Sequence, residues 1–315
     1  MQTLVLLIIA SCWMAPTVEQ QKDQPRVIVS TDIGGSDPDD YQSMVHFLVY
    51  ADQFEIEGLI SSPPQEGRKE HIEVVIKAYA KDYKNLKAQS SDFPGPAELL
   101  KVTKQGATDP QSEAEPNELS EGAAWIIKKA KEKSDQPLYV LVWGSITDVA
   151  QAVHHDPTIK EKIRVYSIGS WNTRQDPKSR DYLYNQHPDL WWIENNTTFR
   201  GMYMGGYQDQ DFSNRGFIEK HVKDHGALGN LFWEQKQDIK MGDTPSVLYL
   251  LDGDPADPEG ESWGGSFIKT NHGPNYWTDN PSENLVTNDR PGANTVNKHR
   301  RHYLDDWARR MDWVR

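Results

Sequence analysis

Four aspartates stand within Thr31-Asp32-Ile33-Gly34-Gly35-Ser36-Asp37-Pro38-Asp39-Asp40, with two glycines among them. Carboxylates this close repel unless shared protons or a cation hold them together. An all-oxygen set suits a hard cation such as Ca²⁺. The apolar run Val27-Ile28-Val29 leads into the segment, and an amphipathic run over 41–50 leaves it. The pattern is strand, acidic turn, helix. In an open α/β sheet, the turn after the carboxyl end of a strand is where ligands sit. An Asp-rich loop that merely caps the following helix has the same composition. This stretch alone is compatible with both.

The elements that would position these residues alternate. Apolar runs predict strands over 26–31, 54–61, 138–143 and 163–168, and apolar periodicity predicts helices over 40–51, 69–85, 119–133 and 147–154. Strands alternating with helices imply an α/β fold, a mostly parallel sheet with helices on both faces. Residues 188–196 have the spacing of a short helix, and 246–251 fit either a strand or a helix end. The polar stretch 88–116 is expected as a long surface loop or lid. Residues 252–291 show little periodicity, and an amphipathic helix over 297–313 closes the chain.

Composition narrows the function. With 315 residues and 11 Trp, 13 Tyr and 8 Phe, the chain can bury a large core. A net charge of −13 argues against a nucleic-acid polymer as partner, because phosphate backbones need a basic face. It suits a bound metal or a neutral or cationic ligand. Abundant aromatics suit sugar recognition, although most such rings serve a core. The apolar run at 4–10 is too short to span a bilayer and fits a secretory leader over 1–20. Ile9-Ala10-Ser11-Cys12 is similar to a bacterial lipobox, which would lipidate Cys12, while ordinary cleavage a few residues later is the alternative. Either route implies an exported protein: periplasmic, anchored at the cell surface or secreted. The histidine pairs His154-His155 and His299/His302 lack a cysteine or placed carboxylate beside them, and fit surface or core positions better than zinc.

Several of these stretches together resemble the nucleoside hydrolases. Asp32, Gly34 and Asp39-Asp40 match that family's Asp-Pro-Gly-x-Asp-Asp turn, here with Ile33 for the proline and a longer loop. Trp143-Gly144-Ser145-Ile146-Thr147-Asp148 resembles its second strand-to-helix segment, and Glu194-Asn195-Asn196 its Glu-x-Asn element. Gly242-Asp243-Thr244-Pro245-Ser246, Ser262-Trp263-Gly264-Gly265 and the segment 304–313 are similar to a divergent branch, the domains related to the cellulose-binding Sde182 proteins, over residues 25–315.

The resemblance implies a Rossmann-like, three-layer fold and a calcium-dependent hydrolase of glycosyl bonds. Its substrate would be a nucleoside or, given export and aromatic content, a sugar derived from a polysaccharide. Asp32 would bind Ca²⁺ and take the water's proton; Asp40 and the carbonyl of Trp143 would be ligands. Asp39, Glu194, Asn195 and Asn196 would hold sugar hydroxyls. Nucleoside hydrolases complete the shell with a C-terminal His-Asp pair, which this chain lacks; Glu261 is the candidate in its place. Asn172 is a candidate sugar contact and Trp263 a candidate stacking platform. Asp243 could touch a ligand or cap the segment after it, and the cap is preferred. A glycan-binding protein that has lost turnover, or a structural surface lipoprotein, are the rivals. Related enzymes are often oligomers.

Overall fold

The computed structural model describes residues 24–35, 37–64 and 67–315, so the leader and Cys12 lie outside the described residues. Eight strands form one sheet: β1 (Arg26–Thr31), β2 (Glu55–Ser61), β3 (Thr103–Gln105), β4 (Leu138–Val142), β5 (Ile163–Ile168), β6 (Trp192–Asn195), β7 (Phe267–Lys269) and β8 (Tyr276–Asp279). Their spatial order is β3-β2-β1-β4-β5-β6-β8-β7, parallel throughout except for β7 against β8. The central strands are apolar on both faces because helices cover both. Val27 and Val29 of β1 pack on one side, and Ile28 on the other.

The first side carries helices Asp39–Val49, Lys69–Gln89, Gly226–Gln235, Thr244–Leu251 and Arg300–Asp312. The second carries Glu121–Lys131, Thr147–His155 and Pro177–Gln186. Helix Asp39–Val49 is buried at nearly every position, which explains why its apolar residues run almost continuously from Met44 to Val49. From β1 the chain winds outward to β2 and β3, then returns to lay β4, β5 and β6 on the opposite side. The reversal lies between β1 and β4, and a crevice opens at the carboxyl ends of strands at such a point.

Three expectations are corrected. Residues 192–195 form β6 and not a helix: Trp192 packs on one face and Ile193 on the other, the two-residue alternation of a strand. The stretch 88–116 is not a bare loop, because it contains helix Pro96–Val102 and edge strand β3. The region 252–291 supplies β7 and β8. The segment 246–251 resolves as helix, within Thr244–Leu251.

Ile193 joins the first-side core with no exposed area. Its replacement by Ala leaves a cavity beside a central strand and costs about 2–5 kcal/mol. Urea unfolding checks this; a loss below about 1 kcal/mol would mean that β6 is not packed as described.

Candidate functional site

A cleft of about 270 Å³ opens at the carboxyl ends of β1, β4 and β5, at the point where the strand order reverses. Its lining includes Asp32 after β1, Trp143 after β4 and the segment from Ile168 to Asn172 after β5. Asp39 and Asp40 enter from the first turn of helix Asp39–Val49, where the helix N-terminus favours negative charge. Asp243 enters from a distant part of the chain.

Local chemistry aims these groups. Gly34 holds a left-handed φ of 96°, and a side chain there would collide with the His71 ring. At Gly144 a Cβ would meet Asp32 Cβ at 2.9 Å and the Pro63 carbonyl at 2.7 Å, so only glycine lets the two strand ends close up. The Thr31 hydroxyl donates to Asp40 Oδ1 and accepts from the Ile33 amide at 3.1 Å. Asp243 precedes helix Thr244–Leu251 yet makes no side-chain capping bond. Its carboxylate turns inward instead, accepting from the Ser43 hydroxyl at 3.4 Å. Oxygens of Asp39, Asp40 and Asp243 come within 4.8 Å of one another.

Burial and mutual repulsion dominate this cluster. Burial first, then the neighbouring Asp40 and Asp39 charges, push Asp32 well above the usual carboxylate range. Asp39 and Asp243 are pushed up the same way, by burial and then by neighbouring aspartates. Asp40 rises to about 6, burial outweighing the lowering bonds from Thr31 and Asp32. Two unit charges 5 Å apart at an effective dielectric of 20 repel by about 3 kcal/mol. A convergent, buried, all-oxygen set of this kind fits a hard divalent cation. Without a cation, three buried carboxylates and the half-buried Asp39 favour shared protons.

The family "Cellulose-binding Sde182, nucleoside hydrolase-like domain" matches residues 26–267. The chain belongs to this family. Among solved structures, a nucleoside hydrolase-related protein from Saccharophagus degradans, associated with carbohydrate metabolism, superposes with a TM-score of 0.71 at 24% identity, covering 92% of this chain and 72% of that one. A purine-preferring ribonucleoside hydrolase from Gardnerella vaginalis gives 0.54 at 14% identity, covering 92% and 98%. The type III effector XopQ, solved with adenosine diphosphate ribose, gives 0.57 at 9% identity, covering 93% and 95%. These likenesses establish the nucleoside hydrolase-like α/β fold. Among curated proteins, none matches the sequence significantly.

Within this Sde182-like cleft, the structure gathers Asp32, Asp39, Asp40, Trp143 and Asn172. Asn172 Nδ2 donates to the Trp143 carbonyl at 2.5 Å and to that of Ile168 at 3.0 Å, so it orients the strand ends. Glu261 is elsewhere: its side chain is 72% exposed and paired with Lys298. Asp243 is the carboxylate that joins Asp32, Asp39 and Asp40 at the cleft, and the preferred reading of it as a cap is overturned, since its side chain makes no capping bond. Glu194 also leaves the group. Arg180 binds both its oxygens, at 3.0 and 2.8 Å, and the Tyr276 hydroxyl donates to it, so its charge is already matched. Period-two alternation sends Asn195 to the opposite face, where it accepts from the Phe199 amide at 2.9 Å and donates to Tyr166 at 2.9 Å. Asn196 accepts from the Ser170 amide at 2.8 Å, bracing a residue held at a φ of 58°. Trp263 packs against the core rather than the cleft. Trp171, 39% exposed, is the tryptophan at the rim. Phe199, Arg200, Tyr203 and Lys240 form the remaining wall and carried no motif in the sequence.

The sign of a pH effect follows. A carboxyl with a raised pKa in the fold holds its proton more tightly folded than unfolded, so stability falls as pH rises. The window runs from about 4, where a free aspartate titrates, through about 6, where Asp40 titrates. In chelator, Asp243→Asn therefore raises the melting temperature at pH 8 by about 5 °C, for roughly 3 kcal/mol of relieved repulsion. The gain vanishes by about pH 4. Thermal scans across pH check this; a variant less stable than wild type at pH 8 would show that repulsion is not the dominant force.

Proposed function

We propose that this chain is an exported, calcium-dependent hydrolase of glycosyl bonds, acting on a sugar derived from a polysaccharide in preference to a nucleoside. The observation that carries the proposal is the convergence of Asp32, Asp39, Asp40 and Asp243 on one cleft at the strand-order reversal. Asp39, Asp40 and Asp243 would hold the cation, with Asp32 and the Trp143 carbonyl beside them. A bound Ca²⁺ would supply charge neutralisation and orient a water and sugar hydroxyls.

The chain's own groups supply the rest. Asp32 borders the cleft beside Asp40, to which its carboxyl donates while it holds a proton; with a cation offsetting the burial that raises its pKa, the freed carboxylate would take the attacking water's proton. Trp171 offers an aromatic face for the sugar's apolar side. Export rests on the leader over 1–20 and on the family's description as cellulose-binding. Among the described residues no helix is long and apolar enough to cross a membrane.

A second reading is a glycan-binding protein without turnover. It is favoured by Glu194, Asn195 and Asn196, which serve an ion pair and loop bracing rather than sugar hydroxyls. Two measurements separate the readings. Millimolar Ca²⁺ raises the melting temperature of the wild type but not of Asp32→Ala or Asp40→Ala; no calcium response in the wild type would sink the metal site. Release of reducing sugar or base is then followed over a panel of oligosaccharides and nucleosides. The enzyme cleaves at least one, and Asp32→Ala slows that cleavage by about 10² or more. Glycan binding that persists in Asp32→Ala, with nothing on the panel cleaved, establishes the binding reading.

A further inference from the structure

The wall facing the carboxylates is cationic, and it is built. Arg200 lies in the single helical turn Thr198–Met202. That turn is clamped by the half-buried Asp279 carboxylate, which accepts from the amides of Asn196, Thr197 and Thr198 at 3.0, 3.0 and 2.7 Å. Asn195 adds a fourth bond, to the Phe199 amide. The guanidinium stacks over the Phe199 ring at 4.9 Å and donates to the Tyr203 hydroxyl at 3.1 Å. Lys240 sits 5.5 Å from the centre of the same Tyr203 ring. One tyrosine thus organises both cations.

Their charges are not equivalent. Lys240 is matched by Asp37 at 2.8 Å. Arg26, Arg180 and Arg310 each meet a carboxylate as well. Arg200, among the described residues, meets none, and the one side-chain hydrogen bond that its guanidinium makes goes to Tyr203 at the cleft wall. A guanidinium fork held in place is shaped for the two oxygens of a carboxylate or phosphate. Within a cleft lined by five aspartates, a clamped arginine that pairs with no aspartate marks the place of an anion from outside.

We infer that Arg200, supported by Tyr203 and Lys240, forms an anion subsite, and that the sugar taken by this cleft carries a carboxylate or a phosphate. The inference rests on the cleft being the ligand site proposed above, and it deepens that reading by naming the ligand's charge. A neutral glucan or an unmodified nucleoside leaves Arg200 unsatisfied. A uronic-acid-bearing oligosaccharide or a sugar phosphate satisfies it.

Calorimetric titration of the full chain in Ca²⁺ tests this with paired ligands: glucuronosyl-β-1,4-glucose against cellobiose, and ribose 5-phosphate against ribose. The acidic member of at least one pair binds about tenfold or more tightly than its neutral counterpart, and the pair that shows it identifies carboxylate or phosphate. The preference shrinks with added salt. It falls to about one in Arg200→Gln and is partly kept in Arg200→Lys, which retains the charge and loses the fork; that partial rescue separates a lost contact from a lost fold. Equal affinity within both pairs, no binding of either acidic ligand, or a preference that survives in Arg200→Gln overturns the subsite. Calcium stabilisation without any anion preference counts against the subsite alone. An anion preference without calcium stabilisation counts against the metal alone.

Discussion

Repulsion among buried carboxylates is the constraint around which this molecule is arranged. Asp32, Asp39, Asp40 and Asp243 converge where water is scarce, and burial makes each charge harder to keep. Nothing in a folding core would select such a cluster for stability. The surroundings instead restrain it. A helix N-terminus receives Asp39 and Asp40, hydroxyls of Thr31 and Ser43 donate to Asp40 and Asp243, and glycines 34 and 144 let the loops close. The sheet's order places all of this at one edge, because only at the reversal between β1 and β4 do adjacent strand ends diverge.

Much of the fold was legible because parallel strands buried on both faces read as unbroken apolar runs. β1 and β4 stand out for that reason, and β2 and β5 by shorter apolar stretches. The missed strands are short and carry mixed side chains. Three residues of Thr-Lys-Gln at β3, or four of Tyr-Trp-Thr-Asp at β8, contain too few alternations to show a period. At β6, Trp-Ile-Glu-Asn after Asp-Leu-Trp has a spacing that a helix would also use, and only neighbours across the sheet decide.

The site was legible where chemistry is local in sequence and hidden where it is not. The turn from Asp32 to Asp40 declares itself by carboxylate density. Asp243 does not, because an aspartate before Thr-Pro is also what a helix cap looks like; only the missing capping bond and the shared space with Asp39 and Asp40 reveal its direction. Glu261 is one of four acids between 254 and 261, and Lys298 and solvent account for it. Glu194 fitted a motif by type, yet strand alternation gives it to Arg180 on the far side of the sheet from Asn195.

The contribution of Asp243 has a further consequence for how the protein acquires its site. Ser43, in the helix that carries Asp39 and Asp40, and Asp243, which it bonds, are separated by 200 positions along the chain. Bringing such distant points together costs roughly 5 kcal/mol in loop-closure entropy. A cation held by the carboxylate cluster would therefore act as a rivet between the first helix and the last third of the polypeptide. The carboxylate cluster cannot be complete before helix Thr244–Leu251 docks, so a chain emerging from synthesis lacks it until most of the polypeptide is in place.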